Sequence, residues 1–243
     1  MVPVNSHQID IVRLAWARAL GLPDDAFLEP RTRVVAEDDD TDTIDFVVLD
    51  GRSALTGPSW AIARADGMSN EELATRDGIR GLAGQRAGRC AGPTTLAYAD
   101  EVRGDVGQES PLISHDLNHV LTLEHSVPPD DAAEADIARK RNWFTVMDDS
   151  EGEDSAKPAS GAGYVEFHGF VADMGVLTAS DHRRRGYGFT AGRLATNDAI
   201  DAGLVPQWQA HVDNLAGRLL GQALGYVELG VRTQVRLTST LEA

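Results

Sequence analysis

The sequence predicts an α/β fold, and three features of its pattern lead there. Short apolar runs of strand length alternate along the chain with stretches of helical period. Turn residues separate them, notably Asp50-Gly51 between two apolar runs and a segment rich in Ser, Asp, Arg and Gly from 180 to 188 that links a strand to a helix. Composition is the third feature: 243 residues, 42% of them hydrophobic, can bury a full core as one large or two small domains.

Taken in order, the chain opens with a helix over 6–20 carrying Ile9, Val12, Trp16, Ala19 and Leu20 on one side and stopped by Gly21 and Pro23. The acidic run 37–42 reads as a solvated loop. Strands at 44–49 and 60–63 flank Asp50-Gly51 as a hairpin. Ser69 and Glu72 form a capping box for a helix reaching about residue 82, and 94–98 reads as a strand. Residues 1–105 therefore read as a small accessory α/β unit. The segment 104–111, with two glycines and a proline, marks the boundary to a second unit over 109–243. That unit begins with a strand at 112–114, helices at 117–124 and 129–140, and a strand at 143–147. A mobile loop at 148–163 leads to strands at 164–168 and 171–178. No internal repeat is obvious.

The rest is organised around 175–195. An apolar run over 176–178 turns through Ser180 and Asp181, crosses Arg183, Arg184 and Arg185, and enters helical spacing at Phe189, Leu194 and Ile200. A glycine-rich turn feeding a helix leaves unpaired backbone N–H groups at the positive end of the helix dipole, a ready anion site. The three arginines are the densest basic cluster of a chain whose net charge is -16. A P-loop needs Lys-Ser or Lys-Thr after its last glycine, and none follows here. A dinucleotide fingerprint on Gly186, Gly188 and Gly192 needs several further parallel strands, and only 55 residues remain after Gly188. The pattern Arg-x-x-Gly-x-Gly on Arg183, Gly186 and Gly188 fits better.

Downstream, 205–212 reads as a strand. Asp213-Asn214 with Leu219, Leu220 and Ala223 reads as a helix closing at Gly225-Tyr226, and 231–237 as a last strand. This order and spacing over about 171–237 resembles the GNAT superfamily of N-acetyltransferases. The resemblance implies a GNAT-like mixed, mostly antiparallel sheet flanked by helices, with the smaller N-terminal α/β unit beside it. It implies acetyl-coenzyme A as co-substrate, its arm paired with the backbone of Val176, Leu177 and Thr178 and its pyrophosphate on Arg183, Arg184, Arg185, Gly186, Tyr187, Gly188 and Phe189. Asn214 caps the last helix or contacts the cofactor.

An alkyl amine acceptor holds its proton at pH 7, so exposing the lone pair costs about 4 to 5 kcal/mol unless a base accepts the proton. By the resemblance that base falls on Asp173, with Glu166 behind it; a one-residue shift of parity moves the position to Ala172. The acid for the leaving thiolate, usually a tyrosine seven residues after the asparagine, falls on Gly221, and Tyr226 is the nearest substitute. The function expected is transfer of an acetyl group to a primary amine of an unidentified acceptor; the alternative is a non-catalytic coenzyme A-binding or regulatory module.

Composition bears on partners. The acidic balance argues against nucleic acid, no apolar run approaches the roughly 18 residues of a membrane span, and the N-terminus lacks the pattern of a signal peptide, so the expectation is a cytoplasmic protein. Its partner is a small-molecule or peptide amine, with a homodimer left open. Cys90 stands alone, which excludes an internal disulfide and a cysteine metal site. His115 and His119 have the spacing of a zinc pair, with Glu124 or His125 near, but the glutamate of zinc proteases is replaced by Asp116; no metal is expected. Ser114-His115-Asp116 holds the residue types of a hydrolase triad, but neighbours in sequence do not converge. Lys140 and Lys157 are the only lysines.

Overall fold

Asn5 caps the first helix, α1 (Ser6–Ala19), by accepting from the His7 amide, and the helix buries Val12, Ala15, Trp16 and Ala17. What that stripe packs against decides the architecture. The computed structural model describes residues 4–28, 33–102, 111–150 and 152–238. Within them run the strands β1 (Val34–Glu37), β2 (Thr43–Leu49), β3 (Arg52–Gly57), β4 (Ala87–Tyr98), β5 (Ile113–Ser114), β6 (Phe144–Asp148), β7 (Lys157–Phe167), β8 (Val171–Thr178), β9 (Val205–His211) and β10 (Val227–Leu237). They form a ten-stranded sheet in the order β1-β3-β2-β10-β4-β9-β8-β7-β6-β5. Only β1 with β3 and β8 with β9 pair in parallel; the other pairs are antiparallel.

Alternation along the strands sends side chains to two faces. On β2, Val47 and Leu49 join a cluster with Trp16, Val171 and Val205, while Ile44 and Phe46 join another beneath helices α2 (Ser59–Ala65) and α4 (Arg76–Ala83). On β8, Ala172 and Met174 face helix α7 (Tyr187–Asp201), whereas Leu177 packs with Val120 and Leu123 of helix α5 (Leu117–His125). The fold is the mixed, mostly antiparallel sheet with flanking helices that the sequence predicts.

The segment expected to divide the two units, 104–111, lies almost wholly outside the described residues. The strands on either side of it belong together: β10, from the C-terminal end, lies between β2 and β4 from the N-terminal part. Trp16 and Val171, from the two parts, share one core cluster.

Several expected boundaries differ. Asp50-Gly51 is the hairpin turn, with φ of 48° and 73°, but the second strand is Arg52–Gly57, and Trp60 to Ala63 fall in α2 behind Pro58. The capping box forms, yet its helix is only α3 (Asn70–Leu73), and Thr75 caps α4 anew. The helix expected over 129–140 stops as α6 (Pro129–Ala135), because Asp136 turns left-handed at φ 45°. The expected loop 148–163 is a strand from Lys157 onward. Its small residues are small because helices press on them: a Cβ on Gly161 would lie 3.1 Å from both Ile137 Cδ1 and Leu123 Cδ2.

Candidate active site

The two parallel strands that meet at the centre of the sheet do not stay together. β8 and β9 pair at Val171 with Val205, Ala172 with Pro206 and Asp173 with Gln207, and there the ladder ends. Beyond it, β8 continues to Thr178 supported by β7 alone, while β9 continues beside β4. The splay opens a cavity of about 570 Å³ walled by residues 174–178 on one side and 208–210 on the other. Its walls present strand edges whose backbone groups have no strand partner across the gap, so an extended ligand could hydrogen-bond to them.

The mouth is built by the turn after β8. Gly186, at φ 88°, is the N-cap of α7 and supplies no side-chain cap, and the first helical bond across this end is Thr190 N–H to Gly186 O at 3.0 Å. The preceding amides of the helix start therefore lack intrahelical partners, and the helix dipole adds positive potential there. Gly188 brings the helix against β8: a Cβ would stand 2.8 Å from Thr178 Oγ1. That hydroxyl is held 2.9 Å from Ser160 Oγ, which donates to Leu177 O at 2.9 Å. Arg183, Arg184, Gly186, Gly188 and Phe189 line the opening.

Acidic residues of α6 occupy both rims of the same cavity. Asp131 accepts from Arg183 at 2.7 Å, and Glu134 accepts from the His211 amide at 3.0 Å and from Asn214 Nδ2 at 2.9 Å. Asn214 in turn caps helix α8 (Leu215–Leu224), its Oδ1 accepting from Gly217 N–H at 2.9 Å. One short helix thus ties the arginine loop to the end of β9.

At the closed end of the splay lies Asp173. Its Oδ2 accepts from Lys140 Nζ at 2.5 Å, and its Oδ1 from Gln209 Nε2 at 2.8 Å and Gln207 Nε2 at 3.4 Å. Gln207 continues the network, accepting from the Tyr98 hydroxyl at 2.6 Å and Trp16 Nε1 at 3.1 Å. Burial raises the Tyr98 phenol well above the ordinary tyrosine value. On the same face Arg232 and Asp45 form an ion pair, with Gln234 Nε2 donating to Asp45 at 2.9 Å. Burial acts to lower the Arg232 guanidinium, but bonding to Asp45 leaves it raised overall.

The structure gathers most of the residues named from sequence. Val176, Leu177, Thr178, Arg183, Arg184, Gly186, Gly188, Phe189 and Asn214 all line the one cavity; Asp173 stands behind that lining, at the last β8–β9 pair, and bonds Gln209 of the wall. Arg185 is exposed and Tyr187 turns to the edge of His182, with ring centroids 5.5 Å apart; neither lines the cavity. Glu166 is exposed on β7 opposite Ala172, away from the opening. Tyr226 is buried behind Trp208, its hydroxyl 2.8 Å from Thr196 Oγ1, and burial raises its phenol. The expectation missed Asp131, Glu134, Lys140, Gln207 and Gln209, which reach the site from outside the glycine motif; only the scarcity of lysine marked Lys140. Of the zinc-pair residues, His115 bonds Trp143 O at 2.6 Å, His119 bonds Ser114 Oγ at 2.7 Å, and Glu124 accepts from the Ala138 amide at 2.9 Å. They do not converge. Among the described residues no group of three or more His, Cys, Asp or Glu is placed to hold a metal, and no helix is long and apolar enough to cross a membrane.

No protein-family model matches the sequence, and no curated protein does. Solved structures do. The likeness is to GNAT-family acetyltransferases. One is an acetyltransferase from the GNAT family of Colwellia psychrerythraea, 12% identical with a TM-score of 0.47, covering 66% of this chain and 61% of that one. A GCN5-related N-acetyltransferase from Kribbella flavida is 16% identical at a TM-score of 0.43, over 65% and 63% of the two chains. A GCN5-related N-acetyltransferase-like protein from Streptococcus suis is 18% identical at 0.36, over 67% of each. The chain spans about three fifths of the length of the Colwellia protein, at 61%. The functional reading rests on the geometry of the splay.

Proposed function

We propose that the protein is an acyl-coenzyme A dependent N-acyltransferase that transfers an acetyl group to a primary amine. The observation that carries this is the conjunction at one cavity of a parted strand pair, a helix N-terminus without a side-chain cap, and two arginines. A thioester with a long amide-bearing arm and a diphosphate matches each part. The free edge of 174–178 bonds the arm, the amides at the start of α7 with Arg183 and Arg184 hold the diphosphate, and Gly188, where a Cβ would meet Thr178 Oγ1 at 2.8 Å, lets the helix start stand close to that edge. Bound there, the co-substrate supplies an activated acyl carbon.

The chain's own contribution to the chemistry is placement and charge. Amides on the splayed edge of β8 can donate to a developing oxyanion. Asp173 is the carboxylate nearest the end of the ladder, and its role is to hold an ammonium or accept a proton from it. The acidic residues of α6 and the negative surface favour cationic acceptors at low salt. Coenzyme A thiolate is a tolerable leaving group near neutral pH, since its thiol resembles that of free cysteine, so water can protonate it.

A coenzyme A-binding module without catalysis is the second reading. It is favoured by Asp173 having both oxygens engaged and by Tyr226 pointing into the core. Calorimetry with coenzyme A, followed by thiol release from acetyl-coenzyme A across a broad amine panel, separates the two. Binding with turnover supports the enzyme, binding without turnover the module. Gly188→Glu should weaken binding about a thousandfold, because a carboxylate near the diphosphate costs about 4 kcal/mol of repulsion besides the lost space. A folded variant with unchanged affinity would remove the assignment.

A further inference from the structure

We propose that Lys140 is a site of self-acetylation, an acceptor amine that the protein carries inside its own transfer site. This inference rests on the acyl-coenzyme A reading of the cavity. The proposal starts from how deliberately the lysine is housed. Its side chain is 7% exposed and ends 2.5 Å from Asp173 Oδ2. Its stem crosses β7 and β8 at two glycines that are register partners, Gly163 and Gly175. A Cβ on Gly163 would stand 3.2 Å from Lys140 Cβ, and one on Gly175 would stand 3.2 Å from Lys140 Cε and 2.3 Å from Ala135 O. Both missing side chains make the channel through which the amine reaches the end of the ladder. Gly175 itself walls the cavity.

The residue type adds to this. Lys140 and Lys157 are the only lysines among 22 lysine and arginine residues, and arginine is the usual choice for a buried ion pair because its fork suits a carboxylate. A lysine amine can give up its proton and become a nucleophile, whereas arginine remains charged. Here a primary ammonium stands against a carboxylate that accepts from Gln209, and its stem passes Gly175; both of those residues wall the cavity.

The step balances as an ordinary aminolysis. The ammonium passes one proton along its hydrogen bond to Asp173, and the nitrogen lone pair attacks the acyl carbon. The carbon–nitrogen bond forms, the carbon–sulfur bond breaks with its electron pair going to sulfur, and the nitrogen's second proton ends on the thiolate. The products are acetyl-Lys140, free coenzyme A and one proton held at Asp173.

Lys157 is an internal control, since it is exposed at the start of β7 and reports chemical acetylation in the same sample. The protein is incubated with acetyl-coenzyme A near neutral pH, its intact mass followed, and the label mapped by peptide mass spectrometry. One acetyl group should accumulate on Lys140 well ahead of Lys157, and excess coenzyme A should suppress it. Asp173→Asn should slow labelling about 100-fold while coenzyme A affinity, read by calorimetry, is kept. If coenzyme A binds but Lys140 stays unmodified, or if both lysines label at one slow rate insensitive to coenzyme A, the inference is overturned and the cofactor reading stands. If coenzyme A does not bind, both fall.

Discussion

The two ends of the β8–β9 pair are built on different principles. The open end is made from backbone: strand edges, the uncapped start of α7, and two glycines chosen for what they lack. Arginine side chains there are exposed, and the ion pair of Arg183 with Asp131 is partly solvated. The closed end is made from side chains: Asp173, Lys140, Gln207, Gln209, Tyr98 and Trp16, interlocked and largely withdrawn from water. The open end suits a ligand that arrives with its own charge and length, and the closed end suits chemistry that needs fixed geometry. A loop of backbone amides tolerates sequence change around it, whereas an interlocked network fails as a unit.

The largest effect is expected where the closed end meets the N-terminal part. Trp16 is buried, donates to Tyr98 at 2.7 Å, and packs with Val171 and Val205. Trp16→Ala should cost about 3–5 kcal/mol by denaturant unfolding, and a chain beginning near residue 108 should not fold, because β10 would lose its partners on both edges. A truncated protein that melts cooperatively and binds coenzyme A would show instead that the β8–β9 site stands without the N-terminal part.

At the open end the expected effects are smaller and opposite in sign. Asp131→Asn releases Arg183 and removes a carboxylate from the rim, so coenzyme A should bind about three- to fivefold tighter at low salt, with the gain shrinking as salt is added. A weaker affinity would mean that α6 organises the loop rather than competing with the ligand.

The smallest effect concerns the loop's outer anchor. Bonding from His182 Nε2, at 2.8 Å, holds the Asp148 carboxyl down to about 2. A depressed folded value means the contact's stabilisation is full above the ordinary aspartate range and fades as pH falls toward 2. The melting-temperature difference between the protein and Asp148→Asn should therefore shrink between about pH 4 and pH 2; a difference that stays constant would mean the charge is irrelevant to the anchor.

The same contrast explains what could be read from the sequence. The open end was legible because strand, arginines, glycines and helix are contiguous, and their spacing alone selects an anion nest. Asn214 was legible as a cap for the same reason, being the residue before a helical run. The closed end joins six residues from five separate segments, and nothing local says that Lys140 reaches Asp173 or that Gln209 faces it. The strand at 157–163 is hidden in the sequence because Gly161 and Gly163 look like loop composition until the helix and lysine that require their smallness are in place. Tyr226 shows the limit of spacing: it stands near the right place in sequence, on the wrong side of Trp208.

The most direct test of the central claim, that the splay between β8 and β9 receives the cofactor arm and α7 its diphosphate, is amide hydrogen exchange with and without saturating coenzyme A. Exchange should slow at residues 174–178 and at 187–189, with Gly188→Glu abolishing both effects. Protection confined to other surfaces, such as the groove lined by Leu215, Leu219 and Tyr226 on the far side of α8, would contradict it.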